Sequence, residues 1–172
     1  MSETSKIREY VQKKIHELKI HCFQCEIIDI GCGDDPLFKY CTRVDRRKEI
    51  KSEYDDALCI PQADGCYPVV YSSYCLEDFE DIIPPLTEWI RILSPGGVLV
   101  LYMADPKVYP KAGTELANKA HKRDIYAGEV VGALVKLGMS KIEVKFRSPP
   151  DGKYDYENRG NIEYSFLIFA RK

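Results

Sequence analysis

The sequence lacks any apolar run that could cross a membrane. A spanning helix needs about 20 consecutive, mostly apolar residues, and no stretch of the 172-residue chain meets that requirement. The first twenty residues contain five Lys or Arg and no uninterrupted apolar stretch, which is unlike a secretory signal. We therefore expect a cytoplasmic protein that does not contact a membrane.

The chain also has little net charge. Its 25 Lys and Arg nearly balance its 27 Asp and Glu, for a formal charge of -2. Proteins that coat DNA or RNA depend on clustered Lys and Arg to neutralise phosphates, so we do not expect a nucleic acid partner. With 45% hydrophobic and 30% charged residues, the chain can bury a core. Its length favours a single domain spanning residues 1–172.

The seven cysteines do not form the even set that a disulfide framework needs. Several lie in apolar, strand-like segments, where a reduced thiol acts as a small hydrophobic side chain. His21, Cys22 and Cys25 resemble part of a zinc site, but no second Cys or His pair supplies the remaining ligands. The sequence therefore predicts neither a disulfide scaffold nor a metal site.

Apolar residues recur at two alternating periods, which indicates an α/β fold. Helical patterns occupy residues 1–20, 86–93 and 130–137. Alternating strands and helices predict parallel pairing with right-handed crossovers. The last two strand-like runs are separated by residues 147–161, which have no helical period, and predict an antiparallel pair at one edge. The predicted strands cover residues 25–30, 42–45, 67–73, 97–103, 141–146 and 162–170.

The first predicted strand ends in a Gly-Cys-Gly turn at residues 31–33. The two glycines let the backbone approach a ligand and expose amide N–H groups, while Asp29 can hold a cation. A dinucleotide site would also need a third glycine, a helix N-terminus and an acid about 20 residues on. Here Asp34 and Asp35 would repel a pyrophosphate, so the turn disfavours NAD and favours a cationic ligand.

Acidic residues also mark two further carboxyl ends at this edge of the predicted sheet. Asp45 ends the second strand, where its carboxylate can accept both hydrogen bonds of a ribose diol. Asp56 and Ala57, at the third carboxyl end, suit the amine and the ring face of adenine. Because ligands of open α/β sheets bind at the carboxyl ends of the strands, these residues predict one binding crevice.

The order and spacing of four segments resemble the class I S-adenosylmethionine-dependent methyltransferases. These segments are residues 28–33, 44–45, 56–61 and 93–100, and the resemblance covers about residues 25–138. It implies a Rossmann-like, doubly wound, seven-stranded sheet of order 3-2-1-4-5-7-6 with strand 7 antiparallel. It also implies S-adenosylmethionine as the cofactor.

The resemblance further implies which residues bind this cofactor. Two departures from the family pattern bear on activity. Pro68 replaces an acid just before Val69 and Val70 of the run 67–73, which is the fourth strand in the family's numbering, and Tyr74 or Asp78 stands where a His is common. The segment 34–42 also leaves room only for a very short helix. By the resemblance, the methionine part contacts Asp29, Gly31, Cys32 and Gly33, the ribose Asp45, the adenine Asp56 and Ala57, and the methyl group Ser72 and Tyr74.

Methyl transfer is an in-line displacement, so the protein mainly aligns the reactants and excludes water. A base near neutral pKa assists when the acceptor is a hydroxyl or a protonated amine, and His is the natural candidate. His16 and His21 belong to the first helix and its end, whereas His121 follows the fifth strand, where the crevice opens. We therefore name His121 as the candidate base, with Tyr74 beside the methyl group. Asp105 either orients a substrate or caps a turn.

These features predict a methyltransferase that modifies a hydroxyl or an amine of a small molecule or glycan. The turn after the fourth strand lacks the Asn/Asp-Pro-Pro-aromatic box used on planar amines, and there is no Pro-Cys pair for cytosine chemistry. Two alternatives stay open. One is an RNA or protein substrate, and the other is a catalytically inactive, methyltransferase-like binding subunit. We expect a monomer or a homodimer.

Overall fold

The fold is a six-stranded sheet covered by helices on both faces. It is seen in a computed structural model that describes residues 2–20, 22–149, 151–155 and 162–172, without the side chain of Cys25. Short 3-10 turns precede β1 and follow β3. The elements are α1 (Glu3–Glu17), β1 (Ile27–Ile30), β2 (Thr42–Val44), β3 (Tyr67–Ser73), α2 (Ile83–Ile92), β4 (Leu93–Ala104), α3 (Ala127–Lys136), β5 (Ser140–Phe146) and β6 (Ser165–Arg171).

The strand order is β2-β1-β3-β4-β6-β5. The first four strands in this order pair in parallel, and β6 is antiparallel to both β4 and β5. The predicted α/β class and the antiparallel pair formed by the last two strands are therefore confirmed. The carboxyl ends of β1, β2 and β3 lie side by side at one edge, as the parallel pairing requires.

The helices bury apolar stripes on opposite faces of the sheet. On one face, Ile7, Val11 and Ile15 of α1 pack against β3, β4 and β6. On the other face, α2 and α3 pack against the same strands, and Trp89 of α2 is fully buried there. This arrangement is the predicted double winding. The helical spacing of apolar residues in each segment accounts for the faces they bury.

The prediction of seven strands is wrong, because the structure describes six. The order matches the predicted one without its third strand. Residues 55–60, all of them described, form turns, and only a parallel bridge between Val44 and Tyr54 extends the sheet beyond β2.

Side chains of α2 form hydrogen bonds with the backbone of this segment. In a strand, the neighbouring strands would form these bonds instead. Trp89 Nε1 donates to the Ala57 carbonyl at 2.9 Å, and Glu88 Oε1 accepts from the Ile60 N–H at 2.7 Å. Arg91 donates to the Ile60 carbonyl at 2.9 Å. Because buried backbone groups must find partners, these bonds allow Ala57 and Ile60 to pack against the core without a strand.

The segment 34–42 likewise forms turns rather than the short helix expected before β2. Its backbone is tied to neighbouring elements by side chains of α1 and β1. Asp29 accepts from the Leu37 N–H at 2.7 Å, and Gln12 donates to the Leu37 carbonyl at 2.9 Å. Arg8 donates to the Pro36 carbonyl at 3.0 Å. Leu37 is fully buried, so this turn covers part of the core that a helix would cover.

The loop predicted at residues 147–161 is described at 147–149 and 151–155. Arg147 and Glu163 form a two-point ion pair across the base of this hairpin, with N–O distances of 3.0 and 2.6 Å. The candidate gripping residues Tyr156 and Arg159 lie outside the described residues. Within the described part of the chain, no helix combines the length and the apolar character needed to cross a membrane.

We predict that Trp89→Phe lowers the free energy of unfolding by about 1–3 kcal/mol, because the partly buried Ala57 carbonyl loses its donor. Urea unfolding followed by circular dichroism measures the change. Thr87→Ala, at an exposed position of the same helix, is the control and should stay within about 0.5 kcal/mol of the parent protein. Equal stabilities for the two variants would contradict this account of the 57–60 segment.

Candidate active site

A cleft of about 390 Å³ opens at the carboxyl ends of β1, β2 and β3. This position is where open α/β sheets bind ligands, and the volume is within the range of small-molecule sites. Four carboxylates and two guanidinium groups line it, so the cleft is acidic overall. The lining residues are Gly31, Val44, Asp45, Arg46, Arg47, Asp55, Asp56, Ala57, Leu58, Tyr74, Cys75, Asp78, Phe79, Asn118 and Ala120.

The glycine turn forms the wall of the cleft after β1. Gly31 has a φ of +74°, and a Cβ atom there would lie 2.5 Å from Cys75 Cβ, so only glycine fits. Its N–H donates to the Val44 carbonyl at 2.8 Å. The Cys32 N–H donates to the same carbonyl at 3.3 Å, and the Gly33 N–H donates to Asp45 Oδ2 at 2.9 Å. The N–H groups that we expected to face a ligand therefore bind the end of β2.

Asp45 lies directly after β2 and lines the cleft with only 7% of its surface exposed. Besides Gly33, it accepts hydrogen bonds from the backbone N–H, Nε and Nη2 of Arg47 at 3.0, 2.9 and 2.9 Å. Although burial opposes ionisation, these donors together lower the pKa of the Asp45 carboxyl below its usual value. The carboxylate is therefore ionised at neutral pH.

Asp56 and Ala57 form the opposite side of the cleft. The Asp56 carboxylate accepts from the Leu58 N–H at 2.8 Å, which fixes the turn. The Ala57 carbonyl faces the other way, towards Trp89. Asp55 and Leu58 add a second carboxylate and an apolar surface to this wall. The residues assigned to adenine from sequence are thus held together without a third strand.

Four of the residues assigned to the cofactor do not line the cleft: Gly33, whose N–H binds Asp45, and Asp29, Cys32 and Ser72. Asp29, beneath the glycine turn, is fully buried, and burial raises the pKa of its carboxyl to about 7. Cys32 is buried as well, and burial raises the pKa of its thiol to about 12, so it is not a reactive thiolate. Ser72 is 2% exposed within β3. These side chains support the turn and the sheet behind the cleft.

Tyr74 lines the cleft directly after β3. Its hydroxyl is hydrogen-bonded to Ser165 of β6, and burial raises the pKa of the phenol well above its usual value. Its φ of +50° is unusual for a residue other than glycine, and its N–H donates to the Tyr102 carbonyl at 2.8 Å. The Tyr74 ring packs against Tyr109 and His121 beside the cleft, and its hydroxyl stays neutral.

His121 lies next to the cleft, beside the lining residue Ala120. It is 7% exposed, and its ring centroid lies 6.0 Å from that of Tyr74 and 5.8 Å from that of Tyr109. Burial lowers the pKa of His121, and the nearby Asp124 only partly opposes this. Its Nε2 atom has no hydrogen-bond partner among the described residues. The ring is therefore neutral at pH 7 and can accept a proton.

Asp105 does not line the cleft. Its carboxylate accepts from Ser148 Oγ at 2.9 Å and from the Lys107 N–H at 3.1 Å. Its backbone carbonyl accepts from the Val108 and Tyr109 N–H groups at 3.0 and 2.7 Å. Of the two roles left open by the sequence, this geometry matches the cap of the turn after β4.

Glu77, which was not predicted from the sequence, connects the turn after β3 to the end of β4 and to the segment next to His121. This residue is 2% exposed, and its Oε1 accepts from the Ala104 N–H at 2.8 Å. Its carbonyl accepts from the Lys122 N–H at 2.8 Å, next to His121. Burial raises the pKa of its carboxyl to about 7. Its place in the polar turn after β3 was visible in the sequence, but its partners, 27 and 45 positions away, were not.

Zinc ligands are not assembled in the described part of the chain, where no group of three His, Cys, Asp or Glu side chains could hold a metal. Of the segment weighed for zinc, His21 and the Cys25 side chain lie outside the described residues. Cys22 has a free, partly buried thiol.

Comparison with known proteins agrees with this geometry. Residues 35–101 match the family model described as a methyltransferase domain. The match begins just after the glycine turn and includes Asp45, Asp56, Ala57 and Tyr74.

Solved structures share the fold at low sequence identity. A SAM-dependent methyltransferase from Archaeoglobus fulgidus is 15% identical with a TM-score of 0.68, over 96% of this chain and 94% of that one. A Thermotoga maritima methyltransferase, described as a possible histamine N-methyltransferase, is 15% identical with a TM-score of 0.65, over 98% and 99%. Phosphoethanolamine N-methyltransferase 2 of Haemonchus contortus, in complex with S-adenosyl-L-methionine, is 14% identical with a TM-score of 0.64, over 94% of this chain and 52% of that one.

The sheet order with its antiparallel β6 and the cleft at the strand ends define a Rossmann-like enzyme fold. The family match assigns residues 35–101 to a methyltransferase domain, and the sheet order is that of the S-adenosylmethionine-dependent methyltransferase structures that share this fold.

We predict that Glu77→Gln weakens the pH dependence of stability between about pH 4.5 and 7. In the native protein the pKa of Glu77 is raised from 4.5 to about 7, so in this window the unfolded chain ionises while the native protein stays protonated. Stability therefore falls as pH rises. Glutamine keeps an acceptor for the Ala104 N–H but does not titrate.

Urea unfolding at pH 5 and pH 8 measures this effect. Relative to the parent protein, Glu77→Gln should be more stable at pH 8 than at pH 5. Glu80→Gln, which removes an exposed carboxylate from the same turn, controls for net charge. The same change from pH 5 to pH 8 in all three proteins would rule out a protonated Glu77 in the native state.

Proposed function

We propose that this chain, as a single domain over residues 1–172, transfers a methyl group from S-adenosylmethionine to a hydroxyl or an amine of a small molecule or glycan. One observation carries the proposal. A single cleft at the strand ends brings Asp45, Asp56 and Ala57 together with Tyr74, and extends to the segment that holds His121.

The charges of the cleft fit the cofactor. S-adenosylmethionine carries a sulfonium cation, and Asp45, Asp55, Asp56 and Asp78 outnumber the two lining arginines. A cleft lined mainly by one sign of charge concentrates ligands of the opposite sign. A pyrophosphate would meet the same carboxylates and, at the glycine turn, N–H groups that are already bonded. The cleft therefore favours a cationic nucleoside over a dinucleotide.

Different residues of this chain would bind the adenine, the ribose and the methionine part of the cofactor. The adenine fits beside Asp56, Ala57 and Leu58, the ribose hydroxyls reach the Asp45 carboxylate, and the methionine part extends towards Gly31 and Tyr74. Bound S-adenosylmethionine supplies an electrophilic methyl group. The other four assigned residues lie behind the surface of the cleft and support the glycine turn and β3. They are Asp29, Cys32, Gly33 and Ser72.

His121 serves as the base that removes the proton of the acceptor. Its lowered pKa keeps the ring neutral at pH 7, and its Nε2 is buried without a partner among the described residues. A base of this kind contributes about 10²–10⁴-fold to the rate. Tyr74, whose hydroxyl is bonded to Ser165, shapes the acceptor side with its ring. Asp105 positions the loop after β4.

Amine acceptors have the stronger support. Tyr74 and Tyr109 place two aromatic rings against His121, and aromatic faces attract organic cations. The acidic cleft also attracts cations, including protonated amines. Two of the structurally similar proteins are described as a possible histamine N-methyltransferase and as a phosphoethanolamine N-methyltransferase, and both descriptions name an amine acceptor.

We predict that Asp45→Ala weakens binding of S-adenosylhomocysteine by about 1.5–3 kcal/mol, because hydrogen bonds to a charged group are lost. Isothermal titration calorimetry measures the affinity, with NAD as a ligand that should not bind. Asp64→Ala, which removes an exposed carboxylate outside the cleft, is the matched control. Unchanged affinity in Asp45→Ala would remove the ribose assignment, and binding of NAD alone would overturn the cofactor assignment.

We predict that His121→Gln lowers kcat about 10²–10⁴-fold and leaves the affinity for S-adenosylhomocysteine unchanged. An acceptor screen with small amines, phenols and sugars, followed by release of S-adenosylhomocysteine, provides the assay. The acid limb of the parent pH profile should have an apparent pKa below 6.5, because burial lowers the pKa of His121. His16→Gln, at an exposed position of α1, should behave as the parent protein. A His121→Gln variant with full activity would exclude the base.

A further inference from the structure

The Asp45 carboxylate already uses all of its acceptor positions. A carboxylate has about four lone-pair directions. Oδ1 accepts from the Arg47 N–H at 3.0 Å and from Arg47 Nε at 2.9 Å, and Oδ2 accepts from the Gly33 N–H and from Arg47 Nη2, both at 2.9 Å. A ribose diol needs two acceptor positions on this group, so two of these donors must leave when it binds.

The two donors that can leave are on the Arg47 side chain. The Gly33 and Arg47 N–H groups are backbone donors that fix the glycine turn and the chain after β2. Nε and Nη2 belong to a side chain that is 51% exposed and lines the cleft. One of them lies on each carboxylate oxygen, as the two hydroxyls of a diol would. The guanidinium thus occupies the place where the ribose edge would bind.

Acidic groups around the cleft can accept Arg47 after it moves. Asp78 lines the same cleft, and the positive charges of Arg46 and Arg47 both act on its pKa. Its Oδ1 atom has no hydrogen-bond partner among the described residues, while its Oδ2 lies 3.7 Å from Arg46. Asp34 and Glu49 also act on the pKa of Arg47. The guanidinium can therefore exchange one carboxylate for another without being left unpaired.

We propose that Arg47 is an internal competitor for the ribose subsite, which the cofactor must displace from Asp45 before its diol can bind. This proposal rests on the proposed function, since it assumes a nucleoside in the cleft. Arg47 then determines how much of the ligand affinity comes from the two ribose hydroxyls. A ligand that lacks the two hydroxyls cannot replace the guanidinium on Asp45 and gains nothing from its removal.

The test is calorimetric titration of S-adenosylhomocysteine into the parent protein, Arg47→Ala and Arg46→Ala. Removing the guanidinium frees one acceptor position on each oxygen of Asp45. We expect Arg47→Ala to bind about 3- to 10-fold more tightly than the parent protein, the scale of a half-exposed ion pair. Arg46→Ala removes the same charge from the same cleft but leaves Asp45 paired, so its affinity should change less.

Two further titrations show whether the effect passes through Asp45 and the diol. In an Asp45→Ala background, Arg47→Ala should have no effect, because no carboxylate remains to compete for. With adenosine and 2',3'-dideoxyadenosine as ligands, Arg47→Ala should tighten binding of the first only. Arg47→Gln, which keeps part of the side-chain bulk, should resemble Arg47→Ala, and urea unfolding checks that the variants are folded.

The outcomes separate this proposal from the proposed function. Equal or weaker binding by Arg47→Ala, relative to a parent protein that does bind, would overturn the competitor role and leave the cofactor assignment intact. The same gain in Arg46→Ala would also overturn it, by reducing the effect to net charge. Absence of S-adenosylhomocysteine binding in every variant would overturn both. Binding by Arg47→Ala alone would support both.

Discussion

The end of β2 holds the glycine turn in place through three hydrogen bonds. The Val44 carbonyl accepts two N–H groups of the turn, and the Asp45 carboxylate accepts a third from Gly33. Gly31 can make this turn only because it has no side chain to meet Cys75. The shape of the cleft therefore depends on a carboxylate that is also its main polar group. A ligand that forms hydrogen bonds with Asp45 therefore contacts the same carboxylate that fixes the glycine turn.

The far wall of this cleft forms without a third strand. Trp89, Glu88 and Arg91 of α2 bind the backbone of the segment after Asp56. The wall is therefore attached to the helix that packs under the sheet. Its position depends on side-chain geometry, whereas the position of Asp45 depends on the sheet. The two sides of the cleft can thus respond differently to substitution.

Local patterns in the sequence predicted the strand ends and the acids that follow them. The Gly-Cys-Gly turn, Asp45 and the pair Asp56 and Ala57 were assigned to one crevice, and the structure places Gly31, Asp45, Asp56 and Ala57 around one cleft. The absence of a third strand at residues 55–60 could not be predicted from such local patterns. An apolar run of four residues suits a strand or a packed turn equally, and the choice depends on α2, which lies about 30 positions further along the chain.

Side-chain partners were harder to predict than positions. Tyr74 was expected at the methyl group, but its hydroxyl bonds to Ser165, 91 residues away. Asp29 was expected in the cleft, yet the turn at Leu37 buries it. These pairings follow from the antiparallel β6 and from the missing helix after β1, and neither leaves a local signal at the residue concerned.

The measurement that tests the central claim most directly is a crystal structure of the protein with S-adenosylhomocysteine. The account predicts the adenosine in the cleft at the ends of β1, β2 and β3, with both ribose hydroxyls on Asp45 and the Arg47 guanidinium turned away. A nucleoside bound elsewhere, or one bound in the cleft with Arg47 still paired to both oxygens of Asp45, would contradict it.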